Sequence, residues 1–138
     1  MNLQEKEQQI IDAFAVFDDW LDKYGYIIDM GKELPAMDSR FKTNENLVET
    51  CQSRVWITAE KREGRLYFLA DSDALISKGV ISMLVKIVSG ETPEDILNAD
   101  LRFLKKIGLI EHLSPARVNG LAGMIQRIQD IAKQNISA

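Results

Sequence analysis

Residues 55–70 read VWITAEKREGRLYFLA, and this stretch decides the fold. Residues 55–59 and 66–70 are rich in β-branched and aromatic side chains, which favour strands. The charged segment 60–64 between them ends in glycine and is typical of a turn. The sequence therefore predicts an antiparallel hairpin with its turn at 60–64. A short, weak pattern near 46–50 leaves a third strand open.

Helical periodicity lies on both sides of this hairpin. Before it, one or two helices are predicted over about 4–31, with Gly31 as the stop. Their apolar stripe contains Ile10, Phe14, Phe17, Leu21 and Tyr24, widened by Trp20, Ile27 and Ile28. After the hairpin, helices are predicted from Leu75 to Gly90, from Pro93 behind a Thr92 cap, over 100–107, and from Pro115 behind a Ser114 cap to about Gln134. Helices, a small antiparallel sheet and then helices together predict an α+β fold.

Length and composition are those of a soluble globular protein, and a single domain over 1–138 is expected. The chain has 138 residues, of which 46% are hydrophobic and 28% charged. One cysteine excludes an intrachain disulfide framework and a CxxC motif. The N-terminus lacks the order of a signal peptide, and no apolar run approaches a membrane span. We therefore expect a cytoplasmic protein with no membrane partner.

The charge distribution favours a protein partner over a nucleic acid. Residues 1–50 carry 5 basic and 11 acidic residues, whereas 51–138 carry 12 basic and 10 acidic ones. Phosphate binding needs a basic face, and the longest basic cluster, Lys61-Arg62, lies in the predicted turn. We expect no nucleic-acid partner.

Cys51 is the strongest candidate for chemistry. It has polar neighbours on both sides and precedes a predicted strand, which places it in a loop, but a lone cysteine is commonly an inert packing residue. His112, the only histidine, could act as its base in a cysteine–histidine dyad, but sequence spacing does not establish that pair, and its position just before a predicted helix cap favours a structural or surface role. One histidine, one cysteine and scattered carboxylates give no metal-ligand spacing, so no metal site is expected.

Charged residues at two predicted helix starts need an explanation. Arg117 lies in the first turn of the last helix, where a cation opposes the helix dipole. An anionic partner on the one hand, and an ordinary ion pair or a solvated side chain on the other, explain this placement equally well. Asp71 and Asp73 bracket Ser72 at the start of another helix, where capping accounts for them.

The residues around Cys51 resemble a known family. Residues 51–56, CQSRVW, are similar to the CQSxVW signature of the SufE family, sulfur acceptors that work with cysteine desulfurases in iron–sulfur cluster assembly. Further similar segments lie on both sides of residues 51–56, occur in the order expected for the family, and extend the resemblance over nearly the whole chain. They are YGYIIDMG at 24–31 with Leu34-Pro35, Ser72-Asp73-Ala74 with Lys78-Gly79, Thr92-Pro93 with Asp95-Ile96, and His112-Leu113-Ser114-Pro115 with Arg117 and Asn119-Gly120-Leu121.

The resemblance implies both a fold and a role. The fold would be an α+β domain related to iron–sulfur scaffold proteins of the IscU type. Cys51 would accept persulfide sulfur from a SufS-type cysteine desulfurase, stimulate that enzyme and deliver the sulfur to a SufBCD-type scaffold. Gln52, Ser53 and Arg54 would shape the loop and its docking surface, and Arg117 would contact the persulfide or the partner. The protein itself would need no cofactor, because pyridoxal phosphate belongs to the desulfurase.

Several alternatives stay open. The family commonly has glycine before the acceptor cysteine, whereas this chain has Thr50, which predicts a differently shaped or stiffer loop. A cysteine-nucleophile hydrolase using Cys51 and His112 and a non-covalent regulatory module of a desulfurase are the competing functions. The residues leave open whether the protein is a monomer or a homodimer.

Overall fold

The structure is a computed structural model that describes residues 1–49, 53–101 and 103–136. The described residues form helices, then a two-stranded antiparallel sheet, then helices, which confirms the predicted α+β order. The helices are α1 (Leu3–Ala15), α2 (Trp20–Lys32), α3 (Leu75–Val88), α4 (Pro93–Asn98), α5 (Phe103–Lys106) and α6 (Pro115–Gln134). The strands are β1 (Val55–Arg62) and β2 (Arg65–Ser72), and two short 3₁₀ turns, Ser39–Phe41 and Asn44–Asn46, lie between α2 and β1.

The hairpin is longer than predicted, and its turn is shorter. β1 and β2 pair from Val55 opposite Ser72 to Arg62 opposite Arg65. Only two residues form the turn, with φ of 51° at Glu63 and 79° at Gly64. Positive φ at both central residues is the geometry of a type I′ turn, which matches the twist of the strands. The predicted bounds of the turn, 60–64, are therefore wrong: residues 60–62 have exposed charged side chains, but their backbone still pairs in the sheet.

A third strand does not form in the described part of 46–50. Leu47 makes a single bridge to Trp56, and the Val48 amide donates to the Val55 carbonyl at 2.8 Å. Residue 50 lies outside the described residues. The chain before the cysteine is thus tied to the start of β1 by only a short contact.

The N-terminal segment forms two separate helices. Asp19 caps α2 by accepting a hydrogen bond from the Asp22 amide at 2.9 Å. Because residues 16–19 between α1 and α2 are not helical, the helical phase of α1 does not continue into α2. Leu21 is consequently 80% exposed, and its predicted place in the apolar stripe is wrong.

Gly31 does not end α2, which continues through Lys32. It lies instead where α2 and α3 approach backbone to backbone. A Cβ atom on Gly31 would lie 2.9 Å from the Gly79 amide nitrogen, and one on Gly79 would lie 2.1 Å from the Ile27 carbonyl oxygen. Ser82 of α3 also donates to the Met30 carbonyl at 2.7 Å. The two glycines are therefore required by close helix packing.

The elements after the hairpin largely follow the sequence signals. Thr92 caps α4, and α6 ends at Gln134 as predicted. The short helix expected over 100–107 is reduced to α5, because Leu101 has a φ of 54°, which is outside the helical range. α3 is central: it contacts α1, α2, α6 and β2 and buries most of its side chains in the core. Its N-terminal end and that of α6 border the chain that follows Cys51.

Candidate functional site

The segment around Cys51 is described only in part. Thr50, Cys51 and Gln52 lie outside the described residues, so the roles assigned to Cys51 and Gln52 stay predictions. Glu49 before them is exposed, and Ser53 after them is half-buried. The neighbouring residues that the structure describes define what surrounds this segment.

Ser53 joins the chain after the cysteine to the first turn of α3. Its Oγ atom lies 2.8 Å from the Oγ atom of Ser77, and either hydroxyl can be the donor. Ser77 is only 8% exposed, so this contact lies inside the protein surface. The sequence analysis named Ser53 but missed Ser77, because a separation of 24 residues carries no local signal.

Arg54 is held by Asp73. Its amide donates to Asp73 Oδ1 at 2.9 Å, and its guanidinium Nε donates to Oδ2 at 3.1 Å. Its carbonyl accepts from the Ser72 hydroxyl at 2.8 Å and from the Asp73 amide at 3.2 Å. The guanidinium also lies 5.6 Å from the centroid of the Trp56 ring. Arg54 is therefore paired at the start of β1.

The expected capping role of Asp71 and Asp73 is wrong. The N-cap of α3 is Ala74, which has no side-chain capping bond, and Asp73 binds Arg54 instead. The hairpin register explains the difference: pairing of Val55 with Ser72 brings the residues just beyond them together. A correctly placed turn would have predicted the contact between Arg54 and Asp73 from the sequence.

Asp71 is bound between two lysines. Its carboxylate lies 3.0 Å from Lys42 Nζ and 3.4 Å from Lys78 Nζ, and it accepts from the Ser72 amide at 2.8 Å. Burial alone would raise the pKa of Asp71, but the hydrogen bonds from Lys42 and Ser72 and the nearby lysine charges outweigh it and lower that pKa. The carboxylate therefore holds together the loop before β1, the end of β2 and the first turn of α3.

Arg117 occupies the predicted first turn of α6. Ser114 is the N-cap, Pro115 is the first helical residue, and the Arg117 amide donates to Ser114 Oγ at 3.3 Å. Across the described ranges, no carboxylate lies within 4.0 Å of the Arg117 guanidinium. The ordinary ion pair that the sequence left open for Arg117 is thus not formed with any described residue, and the exposure of Arg117 agrees with the other ordinary alternative, a solvated side chain.

A cleft of about 290 Å³ lies between the N-terminal ends of α3 and α6. Arg117 and Ser53 both line it, so two of the predicted site residues meet there. Arg54 is bound by Asp73 and does not line it. The cleft residues are Ser53, Ala74, Ser77, Ala116, Arg117, Gly120 and Met124.

His112 makes contacts of a structural kind. Its ring stacks on Trp20 with centroids 3.9 Å apart and planes inclined by 12°. Its Nδ1 atom lies 3.0 Å from the Gly108 carbonyl oxygen, and the Tyr24 hydroxyl donates to the His112 carbonyl. These contacts tie the segment before α6 to the start of α2.

Neither a metal cluster nor a membrane span is found in the part of the chain that the structure describes. Within those residues, no three histidine, cysteine, aspartate or glutamate side chains group closely enough to hold a metal ion. No helix there is both long enough and apolar enough to cross a bilayer.

The fold is shared with a solved structure. A protein from Thermus thermophilus, whose solution structure is described as that of a hypothetical protein, matches with a TM-score of 0.80. The match covers 96% of this chain and 97% of that one, at 21% sequence identity. At this identity the likeness establishes the fold alone.

Comparison of sequences establishes the family. The SufE model, described as an Fe–S metabolism associated domain, matches residues 8–132. A SufE-like protein of Rhizobium meliloti strain 1021 is 43% identical over 135 residues, which cover 94% of this chain and 96% of that protein. A SufE-like protein of Rhizobium etli is 38% identical, with coverage of 94% and 91%. The chain belongs to the SufE family, and its role lies in Fe–S metabolism.

Proposed function

We propose that this protein is a sulfur acceptor and carrier. It takes persulfide sulfur from a SufS-type cysteine desulfurase onto Cys51, stimulates that enzyme and delivers the sulfur to a SufBCD-type scaffold for iron–sulfur cluster assembly. Family membership is the observation that carries the proposal. The single cysteine of the chain, within the CQSRVW segment at 51–56, supports Cys51 as the acceptor.

The transfer step is a thiolate attack. The Cys51 thiolate attacks the outer sulfur of the desulfurase persulfide, the S–S bond of that persulfide breaks, and the desulfurase cysteine leaves as a thiolate. A lone acceptor thiol suits this role, because a neighbouring thiol in the same chain would discharge the new persulfide as a disulfide. The protein is thus a carrier and activator and not an enzyme in its own right.

The cleft gives a physical basis for forming the thiolate. An unperturbed cysteine, with a pKa of about 8.5, is mostly protonated at neutral pH, so a nearby positive charge helps. Ser53, which lines the cleft, is two residues from Cys51, and covalent geometry limits the separation of their Cα atoms to about 7 Å. Arg117 lines the same cleft without a described carboxylate partner and is the cation best suited to this task.

Cofactor, partners and location complete the proposal. The protein carries no cofactor of its own, since pyridoxal phosphate acts in the desulfurase. It works as a single cytoplasmic domain, with no membrane or nucleic-acid partner. The acidic first 50 residues, with 11 acidic and 5 basic side chains, favour a protein partner with complementary charge.

Intact-protein mass spectrometry tests the acceptor directly. The wild-type protein and Cys51→Ser are each incubated with a SufS-type desulfurase, pyridoxal phosphate and cysteine, without reductant. We expect a gain of one sulfur atom in the wild type and none in Cys51→Ser. Ser39→Ala, a small change at an exposed residue to which no role in the site is assigned, serves as the control and should still gain the sulfur.

Desulfurase stimulation separates a carrier from the competing functions. In the carrier mechanism, Cys51→Ser removes stimulation, because the desulfurase persulfide is no longer emptied. Full stimulation by Cys51→Ser would instead establish a non-covalent regulator. Hydrolysis of a thioester or amide by the isolated protein would establish the hydrolase, and the contacts of His112 with Trp20 and Gly108 argue against it.

A further inference from the structure

The connection between α1 and α2 exposes bulky apolar side chains beside carboxylates. We propose that it forms a docking surface for the cysteine desulfurase, and that it fits an apolar recess rimmed by lysine or arginine on that enzyme. This surface, the corner patch, consists of Val16, Phe17, Asp18, Leu21 and Asp22. The inference rests on the proposed function, because the partner that it names is the desulfurase. It adds an anchor for that partner outside the segment that contains the acceptor cysteine.

The apolar side chains of the corner patch are open to solvent. Leu21 is 80% exposed and Val16 is 76% exposed, the two highest values among the large hydrophobic residues that the structure describes. A single exposed apolar side chain is ordinary, whereas two on one short connection form a patch that a partner can cover. Neither side chain is buried in the core, so the apolar surface of both is available for binding.

The corner patch is fixed before any partner binds. The Val16 amide closes the end of α1 by donating to two carbonyls of its last turn. Asp19 caps α2 by accepting from the Asp22 amide at 2.9 Å, and the Phe17 ring packs on Tyr26 with centroids 5.4 Å apart. A surface that is already ordered loses little conformational entropy on binding, which favours its use as an anchor.

Negative charge surrounds the apolar side chains. The carboxylates of Asp18, Asp19 and Asp22 are exposed, and in the part of the chain that the structure describes no basic nitrogen lies within 4.0 Å of them. Lys23 places its Nζ atom 5.1 Å from the centroid of the Trp20 ring instead. This charge repels nucleic-acid phosphates and anionic membranes, so the occupant of matching chemistry is a protein with a basic rim.

The contacts between α2 and α3 place the corner patch at the end of the molecule where α3 begins. The pairs that approach each other are, in order, Ile27 with Gly79, Met30 with Ser82, and Glu33 with Lys86. Because the residue numbers rise together in both helices, α2 and α3 run parallel. The first turn of α2, which contains Leu21, therefore lies at the same end as the first turn of α3.

The start of α6 lies at this end as well. Trp20, the first residue of α2, stacks on His112, which comes just before the Ser114 cap of α6. Ser53 lines the cleft between the first turns of α3 and α6, and Leu75 at the start of α3 is another exposed apolar side chain. A desulfurase that reaches the chain just before Ser53 from this end can therefore cover the corner patch in the same encounter.

The affinity of the full chain for the desulfurase tests the apolar anchor. In isothermal titration calorimetry, Leu21→Ser should bind about tenfold more weakly than wild type, because the buried apolar surface of an anchor is lost. Ile136→Ser is the matched control and should bind as wild type. Ile136 is also an exposed apolar residue, but it lies at the hairpin-turn end, where Lys61 donates to the adjacent Asn135 carbonyl at 2.7 Å. Circular dichroism should show both variants folded, since both side chains are exposed.

Charge reversal tests the basic rim of the partner. Asp18→Lys should weaken desulfurase binding about fivefold at low ionic strength, because attraction becomes repulsion. Added salt should weaken binding of the wild type more than binding of Asp18→Lys. Glu60→Lys makes the same charge change at an exposed residue near the hairpin turn and should bind as wild type.

Desulfurase stimulation separates docking from chemistry. As the concentration of the protein is raised, Leu21→Ser should reach the maximal stimulation of the wild type, because its acceptor cysteine is intact. Its half-saturating concentration should be about tenfold higher, which is the signature of lost binding without lost chemistry.

Equal affinity of Leu21→Ser and Ile136→Ser for the desulfurase would overturn the inference, as would absence of binding by the wild type. A homodimer that Leu21→Ser dissociates in sedimentation, with desulfurase binding unchanged, would assign the corner patch to a second copy and overturn it too. Failure of the proposed function has a separate signature: the desulfurase binds the wild type but adds no sulfur to Cys51, and the affinities of the variants still decide the docking surface.

Discussion

The middle and the first turn of α3 are held in place by different forces. In the middle, Gly79 meets α2 backbone to backbone, and Ser82 bonds to the Met30 carbonyl at 2.7 Å. At the first turn, Ser77 borders an open cleft and its hydroxyl bonds to that of Ser53. One end of the helix is thus fixed by hydrogen bonds and ion pairs around the site, and the middle by close packing.

This difference indicates how the fold serves the site. A helix that cannot shift against α2 provides a fixed support for the chain that follows Cys51. The contacts around the cleft are polar and partly exposed, so they can be exchanged for contacts to a partner at low cost. Changes at the middle of α3 should therefore cost stability, whereas changes near its first turn should act mainly on local structure and sulfur transfer.

The largest expected effect is that of Gly79→Ala. Its new Cβ atom would lie 2.1 Å from the Ile27 carbonyl oxygen, which is backbone and can move only together with α2. We expect a loss of about 3 kcal/mol in the free energy of unfolding, measured by urea denaturation with circular dichroism. Such a change would move α2 and α3 apart, and sulfur loading of Cys51 should fall with it.

Gly25→Ala in α2 is the matched control. Nothing lies within 4 Å of a Cβ atom at Gly25, so the same change should raise stability by about 0.5–1 kcal/mol through helix propensity. Equal stability of the two alanine variants would mean that the two helices are not in tight backbone contact.

Asp71→Asn tests whether charge holds the site end of α3. The pKa of Asp71 is lowered in the folded protein, so its stabilisation is present above the unfolded pKa of about 4 and is lost as the pH falls through the folded pKa. At pH 7 we expect the variant to be about 1–2 kcal/mol less stable than wild type in urea denaturation. The difference should shrink steadily below about pH 4.

The control for this pH profile is Asp29→Asn. Asp29 pairs with Lys32 at 3.7 Å on the surface, where both side chains are largely exposed, so its stability change should be close to zero at every pH. A deficit for Asp71→Asn that is as large at pH 3 as at pH 7 would contradict an electrostatic role for Asp71.

The smallest effects are expected where Asp73 holds Arg54. Asp73→Ala removes both bonds to Arg54 and should cost about 1 kcal/mol, with faster hydrogen exchange of the Arg54 amide. Arg54→Gln keeps the bond from the amide to Asp73 and should cost less than about 0.5 kcal/mol, because the lost ion pair is exposed. If hydrogen exchange of the residue 54 amide is equally fast in both variants, the bond from that amide to the Asp73 carboxylate does not fix the start of β1.

Several elements were predictable because their signals are local. The Thr92 and Ser114 caps, each followed by proline, set the starts of α4 and α6, and the β-rich runs set the hairpin. The predicted turn at 60–64 is too long because charged residues mark exposure and do not by themselves end a strand. Leu21 is exposed because α2 starts anew behind its Asp19 cap, so the apolar stripe of α1 does not extend to it.

The sequence by itself determined the α+β order and the family, and it shows that Cys51 is the only cysteine, since all three depend on residue types and short spacings. Only the tertiary structure decided that Arg54 is bound to Asp73, that Arg117 lines a cleft with Ser53, and that Gly31 serves packing. These facts depend on contacts between residues far apart in the chain. Such contacts follow from how whole helices and the hairpin pack, which local sequence patterns do not encode.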